Sequence, residues 1–151
     1  MIGLAWAAFG HRPNVWESTE HDFIPDPIHS GGLRYHGMSP LISHLYETKE
    51  IGAVAKQQSE CFAAGVLFAR TEGIVPAPEP THALAATIAE ALRCKESGEE
   101  KVIVTALCGH GHLDLPAYDA YLSGSVSDTG WEDEALQAAV AEALTKLPAL
   151  A

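Results

Sequence analysis

The side chains best suited to catalysis or metal binding lie in one short run, CGHGH at residues 108–112, with Asp114 shortly after it. A thiol, two imidazoles and a carboxylate recur at every second position, so an extended backbone would bring them to one side as a Zn²⁺ shell. The alternating glycines favour a loop instead, which would scatter the side chains and let backbone approach a ligand closely. A structural role, with the histidines bonded to carbonyls and the cysteine buried as a small apolar group, is the simpler alternative to metal binding.

Glu79 is a second candidate, because it lies between two prolines in IVPAPEP at residues 74–80. A carboxylate in a rigid, partly apolar loop near the edge of a sheet can act as a general acid or base. The same residue would also stabilise the dipole of a following helix, and residue types alone favour that role. Gly31 and Gly32 predict either a backbone cradle for a ligand or a turn before the next helix. The sequence holds no phosphate-binding loop, dinucleotide fingerprint, nucleophile elbow or HExxH motif.

The segment before the CGHGH run, residues 102–107, is apolar, uncharged and rich in β-branched residues. It predicts a strand buried on both faces, and in open α/β sheets ligands bind at the carboxyl ends of such strands. Helical spacing, caps and turn residues predict further elements: helices from 39 onward and at 59–73, 81–95, 115–122 and 131–147, and a short strand at 51–56. Two or three strands are too few for this many helices, which indicates part of a larger α/β fold.

Composition narrows the class of protein. The 151 residues are 47% hydrophobic and 19% charged, which is typical of a globular domain. The formal net charge of −11 argues against nucleic acid or an anionic membrane surface as a partner, because both require a basic face. Three cysteines cannot all pair and form no zinc-type spacing, so a reduced, cytoplasmic setting is expected. The apolar opening MIGLAWAAFG is too short to span a bilayer and has no basic flank or cleavage site.

Three longer segments identify a family resemblance. HSGGLRYHGMSPLISHL (29–45), ARTEGIVPAPEPTHAL (69–84) and CGHGHLDLPAYDAYL (108–122) resemble, in order and spacing, the C-terminal part of tryptophan synthase β-chain-like enzymes. These are pyridoxal-phosphate enzymes of fold type II, and GLRYHG and GHGHxD resemble their stand-alone β-like branch in particular. The resemblance covers about residues 21–123. It leaves 1–20 unassigned and 124–151 as a linker and a C-terminal amphipathic helix, and it implies part of a three-layer αβα fold with an incomplete parallel sheet.

The resemblance also implies roles for single residues. Glu79 matches the catalytic glutamate that protonates the leaving serine hydroxyl and later orients indole. Cys108 matches the residue, usually serine, that hydrogen-bonds the pyridine nitrogen of the cofactor. Gly32 matches the glycine whose backbone lies by the phenolic oxygen of the cofactor, and Gly109 follows Cys108 as a cofactor-binding residue.

The substrate side of the resembled site involves another set of residues. His82 matches a histidine at the start of the helix after the glutamate. Arg34 stands where the ordinary β subunit has an aspartate that gates the substrate hydroxyl, so the amino-acid substrate or the closed state could differ here. The carbonyls of Leu33, Tyr35 and Gly37 would help to hold a monovalent cation, as in the family.

The sequence lacks two parts of the resembled site, the lysine that forms the Schiff base within His-Lys-x-Asn and the Gly-Ser-Asn phosphate loop. None of the lysines has that context; they are Lys49, Lys56, Lys95, Lys101 and Lys146. The resemblance therefore implies a carbon-oxygen lyase that condenses L-serine with indole to give tryptophan and water. It would be inactive until a missing N-terminal part is supplied in cis or in trans, and a homodimer when complete.

Two other classes of protein stay open at this point. One is a small non-catalytic binding module, with Cys108, His110 and His112 as metal ligands. The other is an inert gene fragment. An upstream reading frame that carries the lysine motif would support the enzyme, and its absence would favour one of these alternatives.

Overall fold

The computed structural model describes residues 28–33 and 39–128 in full, together with the backbone of two short strands at 15–17 and 23–25. The chain divides into two compact units, and the second comprises Ile28–Leu33 and Val54–Asp128. The helix predicted at 131–147 lies outside the described residues. None of the described helices is long and apolar enough to cross a lipid bilayer.

The first unit contributes a strand pair and one helix to the described structure. Strand β1 (Val15–Glu17) pairs antiparallel with β2 (Phe23–Pro25). The sequence pattern gives no sign of this pair, and a proline is compatible with the short, terminal position that Pro25 takes in β2. Helix α1 (Pro40–Glu47) begins with a proline at its first position, as predicted, because the fixed φ of proline suits the first turn.

The second unit is helical and carries the candidate site. Its helices are α2 (Gln58–Glu72), α3 (Pro78–Ser97) and α4 (Leu115–Leu122), and 3₁₀ turns lie at Gly31–Leu33 and Gly111–Leu113. Gly73 and Gly98 end α2 and α3 with φ values of 70° and 71°, a left-handed conformation that costs glycine little. Both predicted helix ends are confirmed, as is the helix at 115–122.

Helix α3 begins at Pro78, three residues before the predicted start, so the prediction of irregular structure through residue 80 is wrong. Prolines at 78 and 80 are tolerated because the first backbone N–H groups of a helix have no intrahelical acceptor. The buried hydroxyl of Thr81 donates to the carbonyl oxygen of Pro78 at 2.6 Å and closes this turn. Glu79 is therefore a first-turn helical residue rather than a loop residue.

Two apolar clusters hold the helices of the second unit together. The first joins α2 to α3 through four buried residues, Cys61, Ala64, Leu84 and Ala85. The second surrounds Phe62, whose ring stacks on Tyr121 at 5.4 Å and meets Tyr118 edge-on at 5.2 Å between centroids. The hydroxyl of Tyr118 donates to the carbonyl oxygen of Pro76 at 2.7 Å, and burial raises the pKa of Tyr118 to about 12. Tyr118 thus ties α4 to the chain segment that enters α3.

The predicted strands at 102–107 and 51–56 are not formed in the described structure. Residues 101–109 carry neither helix nor strand, and Val102 and Val104 are 93% and 89% exposed. A strand forms only where another strand lies beside it to exchange backbone hydrogen bonds. Within the described ranges, the nearest such pairing is an isolated bridge between Pro76 and His110, just after this segment. The predicted incomplete parallel sheet is accordingly not formed among the described residues.

Candidate functional site

The candidate site lies where a glycine turn meets the start of helix α3. The backbone N–H of Gly32 donates to Oε1 of Glu79 at 2.8 Å. A Cβ atom at Gly32 would lie 3.2 Å from Cγ of Glu79, which is tighter than ordinary contact, so glycine is the residue that permits this approach easily. The turn Gly31–Leu33 and the Glu79 carboxylate therefore form one hydrogen-bonded arrangement, with Gly31 and Gly32 exposed at its surface.

A second hydrogen bond fastens the same turn to α3 three residues later along the helix. Oγ of Ser30 lies 3.3 Å from Nε2 of His82, and Ser30 is only 3% exposed. Residues three apart on a helix share one face, so Glu79 and His82 both meet the segment at residues 30–32. The sequence interpretation missed Ser30; the only signal that pointed to it was the shared face of Glu79 and His82.

The two glycines of the CGHGH run allow close contact with another part of the chain. The N–H of Ala77 donates to the carbonyl oxygen of Gly109 at 3.0 Å, and the N–H of Gly111 donates to the carbonyl oxygen of Val75 at 2.7 Å. A Cβ at Gly109 would lie 3.0 Å from that of Ala77, and one at Gly111 would clash with the carbonyl oxygen of Pro76. The segment that approaches these glycines is thus 75–77, and the pairing holds Gly109 beside the residue that precedes α3.

The side chains of the CGHGH run do not form a metal shell. The ring centroids of His110 and His112 lie 4.8 Å apart, and Nδ1 of His110 accepts the backbone N–H of His112 at 3.3 Å. In the part of the chain that the structure describes, no three His, Cys, Asp or Glu residues are placed to hold a metal ion. Cys108 is exposed.

The structure thus brings some of the predicted site residues together. Gly32, Glu79 and His82 meet at one turn, and Gly109 lies beside the start of the same helix. Leu33 ends the 3₁₀ turn and is partly buried. The remaining predicted residues, Arg34, Tyr35 and Gly37, lie outside the described residues.

The three thiols should react very differently with an aromatic disulfide reagent. Cys108 is exposed, whereas Cys61 and Cys94 are buried. Burial raises the pKa of Cys61 to about 12, so only about one part in ten thousand is thiolate at pH 8, and the thiolate is the reactive form. We expect one fast-reacting thiol per native chain and three after denaturation. A Cys108→Ser variant should lose the fast reaction; a fast reaction that persisted would contradict the burial of the other two.

Comparison with known proteins identifies the family. No family model matches the chain. The chain is 63% identical over 108 residues to tryptophan synthase beta chain 2 of Aquifex aeolicus, a match that covers 72% of this chain and 25% of the relative. It is 57% identical over 106 residues to the protein of that name from Methanosarcina mazei, covering 70% of this chain and 24% of the relative. It is 50% identical over 120 residues to tryptophan synthase beta chain of Thermococcus gammatolerans, a match that covers 79% of this chain and 27% of the relative.

All three relatives are named as tryptophan synthase beta chains, and the matches span most of this chain. The fold is accordingly of the tryptophan synthase β type, and the chain is a partial tryptophan synthase β-like protein. It spans about a quarter of the length of the curated relatives that it matches.

Proposed function

We propose that this chain is the C-terminal part of a tryptophan synthase β-like lyase, which condenses L-serine with indole to give tryptophan and water. The observation that carries the proposal is the Glu79 carboxylate held at the Gly31–Leu33 turn by the N–H of Gly32 at 2.8 Å. The high identity to tryptophan synthase beta chains supports it. In the complete enzyme, residues 102–107 would form a strand of the parallel sheet within the three-layer αβα fold.

Glu79 is the group that we assign to proton transfer. Its Oε1 accepts the backbone N–H of Gly32, which fixes the carboxyl group in place and leaves Oε2 as the oxygen to carry a proton. Delivery of that proton to the hydroxyl oxygen of serine would let the hydroxyl leave as water. A positioned general acid of this kind contributes about 10²–10⁴-fold to the rate. The resulting carboxylate could then accept a hydrogen bond from the indole N–H and so orient that substrate.

The residues present fit a flat aromatic cofactor such as pyridoxal 5′-phosphate. Gly31 and Gly32 give an exposed surface without side chains, and Cys108 offers an exposed thiol for a ring nitrogen. Gly32, Cys108 and Gly109 would hold the group, which when bound supplies the electron sink for loss of the serine hydroxyl. A thiol is a weak hydrogen-bond partner, so Cys108 would not hold a proton on the ring nitrogen as a carboxylate would.

The remaining assignments complete the proposal. Arg34 and His82 would gate the substrate, and the carbonyls of Leu33, Tyr35 and Gly37 would help to hold a monovalent cation. The Schiff-base lysine and the phosphate loop would come from a companion part, in cis or in trans, and the complete enzyme would be a homodimer. This chain would then be inactive on its own.

The test is reconstitution with a defined companion. The chain is co-expressed with the part of the Aquifex aeolicus relative that precedes its matching segment, and tryptophan formation from L-serine and indole is measured with added pyridoxal phosphate. We expect turnover from the two parts together and none from either alone. A stable complex that makes no tryptophan would contradict the proposed reaction.

A labelling control on the chain alone tests the need for a companion. Pyridoxal phosphate is added, the mixture is reduced with borohydride, and the modified lysines are mapped. We expect weak labelling spread over several lysines, because no lysine of this sequence has the His-Lys-x-Asn context. Stoichiometric labelling of a single lysine would show a site that is complete without the companion.

A further inference from the structure

The turn that holds Glu79 is fastened to α3 at two points. Besides the bond from the N–H of Gly32 to Oε1 of Glu79 at 2.8 Å, Oγ of Ser30 lies 3.3 Å from Nε2 of His82. A single hydrogen bond fixes the distance between two groups but allows each of them to rotate about it. A second bond joins a residue two positions earlier in the turn to one three positions later in the helix, and it removes that rotation. The bond of Ser30 therefore determines the direction in which the N–H of Gly32 points.

Ser30 connects the backbone of the turn to the helix. Its carbonyl oxygen accepts the N–H of Leu33 at 3.0 Å, which closes the 3₁₀ turn, and the residue is only 3% exposed. A buried hydroxyl group is unfavourable without a hydrogen-bond partner, and among the described residues this one meets His82. A hydroxyl group can donate or accept, so it can pair with Nε2 in either tautomer of the imidazole. The bond is thus available whichever nitrogen of His82 carries the proton.

An aromatic contact holds the start of the turn as well. The ring of His29 meets that of Phe62 edge-on, with 5.8 Å between centroids, and Phe62 is buried in the apolar cluster with Tyr118. Such ring pairs occur over a wide range of separations, whereas a hydrogen bond weakens steeply as its angle departs from linear. Loss of the bond to His82 should accordingly leave the turn on the helices but misdirect the N–H of Gly32.

We propose that Ser30 is a positioning residue that, through His82, keeps the N–H of Gly32 on Oε1 of Glu79 and so presents Oε2 for proton transfer. This inference rests on the proposed function. Without that N–H, the carboxyl group of Glu79 could rotate about its last side-chain bond and present its proton in a direction that does not suit the leaving hydroxyl. A misplacement of about 1 Å near the reacting atoms can cost about 10²-fold in rate. Ser30 itself contacts neither substrate nor cofactor in this assignment.

The first test observes the amide proton of Gly32 by NMR in the isotope-labelled full chain. A proton bonded to a carboxylate resonates downfield, and Glu79→Ala gives its position when that acceptor is absent. We expect Ser30→Ala to move the Gly32 resonance about half or more of the way to that position, because the bond becomes longer and less well aligned. An unchanged Gly32 resonance in folded Ser30→Ala would overturn the proposal.

Variants of His82 change the same bond from the helix side. His82→Ala should move the Gly32 resonance as Ser30→Ala does. His82→Gln should keep it near its original position, because an amide can meet the hydroxyl as donor or acceptor. Helical circular dichroism reports whether each variant is folded. If Ser30→Ala were unfolded, these two variants would decide the question, and equal Gly32 resonances in both would contradict the proposal.

The second test determines whether Ser30 acts through Glu79 in the reconstituted enzyme. The kcat for tryptophan formation is measured for Ser30→Ala alone and in the Glu79→Gln background. We expect a loss of about 10- to 100-fold with Glu79 present and a change within about twofold in Glu79→Gln, which has no proton to deliver. A merely structural role would lower kcat alike in both backgrounds, so equal losses would overturn the proposal.

Ser43→Ala is the matched control. Ser43 is 2% exposed, and its Oγ donates to the carbonyl oxygen of Ser39 at 3.3 Å at the start of α1. The variant thus removes a hydroxyl group of similar burial whose bond is made within its own helix. We expect the Gly32 resonance to be unchanged and kcat to stay within about twofold.

The outcomes separate this inference from the proposed function. A complex of the original chain and its companion that makes no tryptophan would contradict the proposed reaction, and the Gly32 resonance in Ser30→Ala would still decide whether Ser30 positions the turn. An active complex whose Gly32 resonance does not respond to Ser30→Ala would overturn only this inference.

Discussion

Glu79→Gln should lower tryptophan formation by the reconstituted enzyme about 10²–10⁴-fold while the two parts still associate. The amide oxygen of glutamine can accept the N–H of Gly32 as Oε1 of Glu79 does at 2.8 Å, so the turn keeps its position. The amide cannot deliver a proton to the leaving hydroxyl. The measurement is kcat with L-serine and indole, together with the affinity of the two parts for each other.

Two further variants isolate the proton from the hydrogen bond. Glu79→Ala removes both, so it should lose activity and also loosen the turn, which a lower thermal midpoint of the chain would report. Glu96→Gln makes the same chemical change at an exposed position of the same helix and should leave kcat unchanged. Near-normal turnover in Glu79→Gln would contradict the acid role, and stabilisation of the α3 dipole would be the better account of this carboxylate.

The helices were predictable from sequence because their ends depend on local chemistry. Gly73 and Gly98 stop their helices through a left-handed conformation that glycine adopts readily, and Pro40 fits the first turn of α1. The sequence predicts the start of α3 too late, because two prolines within three residues are typical of a loop. Only the structure shows that no backbone bond is lost there.

The strand predicted at 102–107 is absent from the described structure for a different reason. An apolar, β-branched run predicts a strand that is buried on both faces, but it does not identify the residues that pack against those faces. Strand pairing is non-local, and the exposure of Val102 and Val104 indicates that the neighbours are not among the described residues. The pattern therefore predicts burial on both faces, and the described residues do not provide it.

The family resemblance predicts the site more fully than the residue types do. Residue types alone favoured a dipole role for Glu79 and gave no reason to join it to Gly32, which lies 47 positions away. The structure brings these two into contact, and it adds Ser30, whose type is too common in turns to stand out. The need for glycine at positions 109 and 111 is not visible in the sequence either, because it arises from contact with residues 75–77, more than 30 positions earlier in the chain.

Gly65→Ala should destabilise the chain by about 1–3 kcal/mol, although alanine is the better helix former by about 1 kcal/mol. A Cβ at this α2 position would lie 2.6 Å from the hydroxyl oxygen of Tyr118 and 2.7 Å from Cγ2 of Thr81. Neither neighbour can yield cheaply, because Tyr118 is bonded to the carbonyl of Pro76 at 2.7 Å and Thr81 to that of Pro78 at 2.6 Å. Overpacking with a strained buried hydrogen bond therefore outweighs the gain in propensity.

Thermal unfolding followed by helical circular dichroism tests this balance. Gly52→Ala is the control, because a Cβ there would meet nothing within 4 Å, and its midpoint should stay close to that of the original chain. Tyr118→Phe removes the hydroxyl oxygen that the new methyl group would meet. The cost of Gly65→Ala should thus be smaller in the Tyr118→Phe background than in the original chain, a coupling that a double-mutant cycle measures. A higher midpoint for Gly65→Ala, or equal costs in both backgrounds, would contradict the tight contact between α2 and α4 at Gly65.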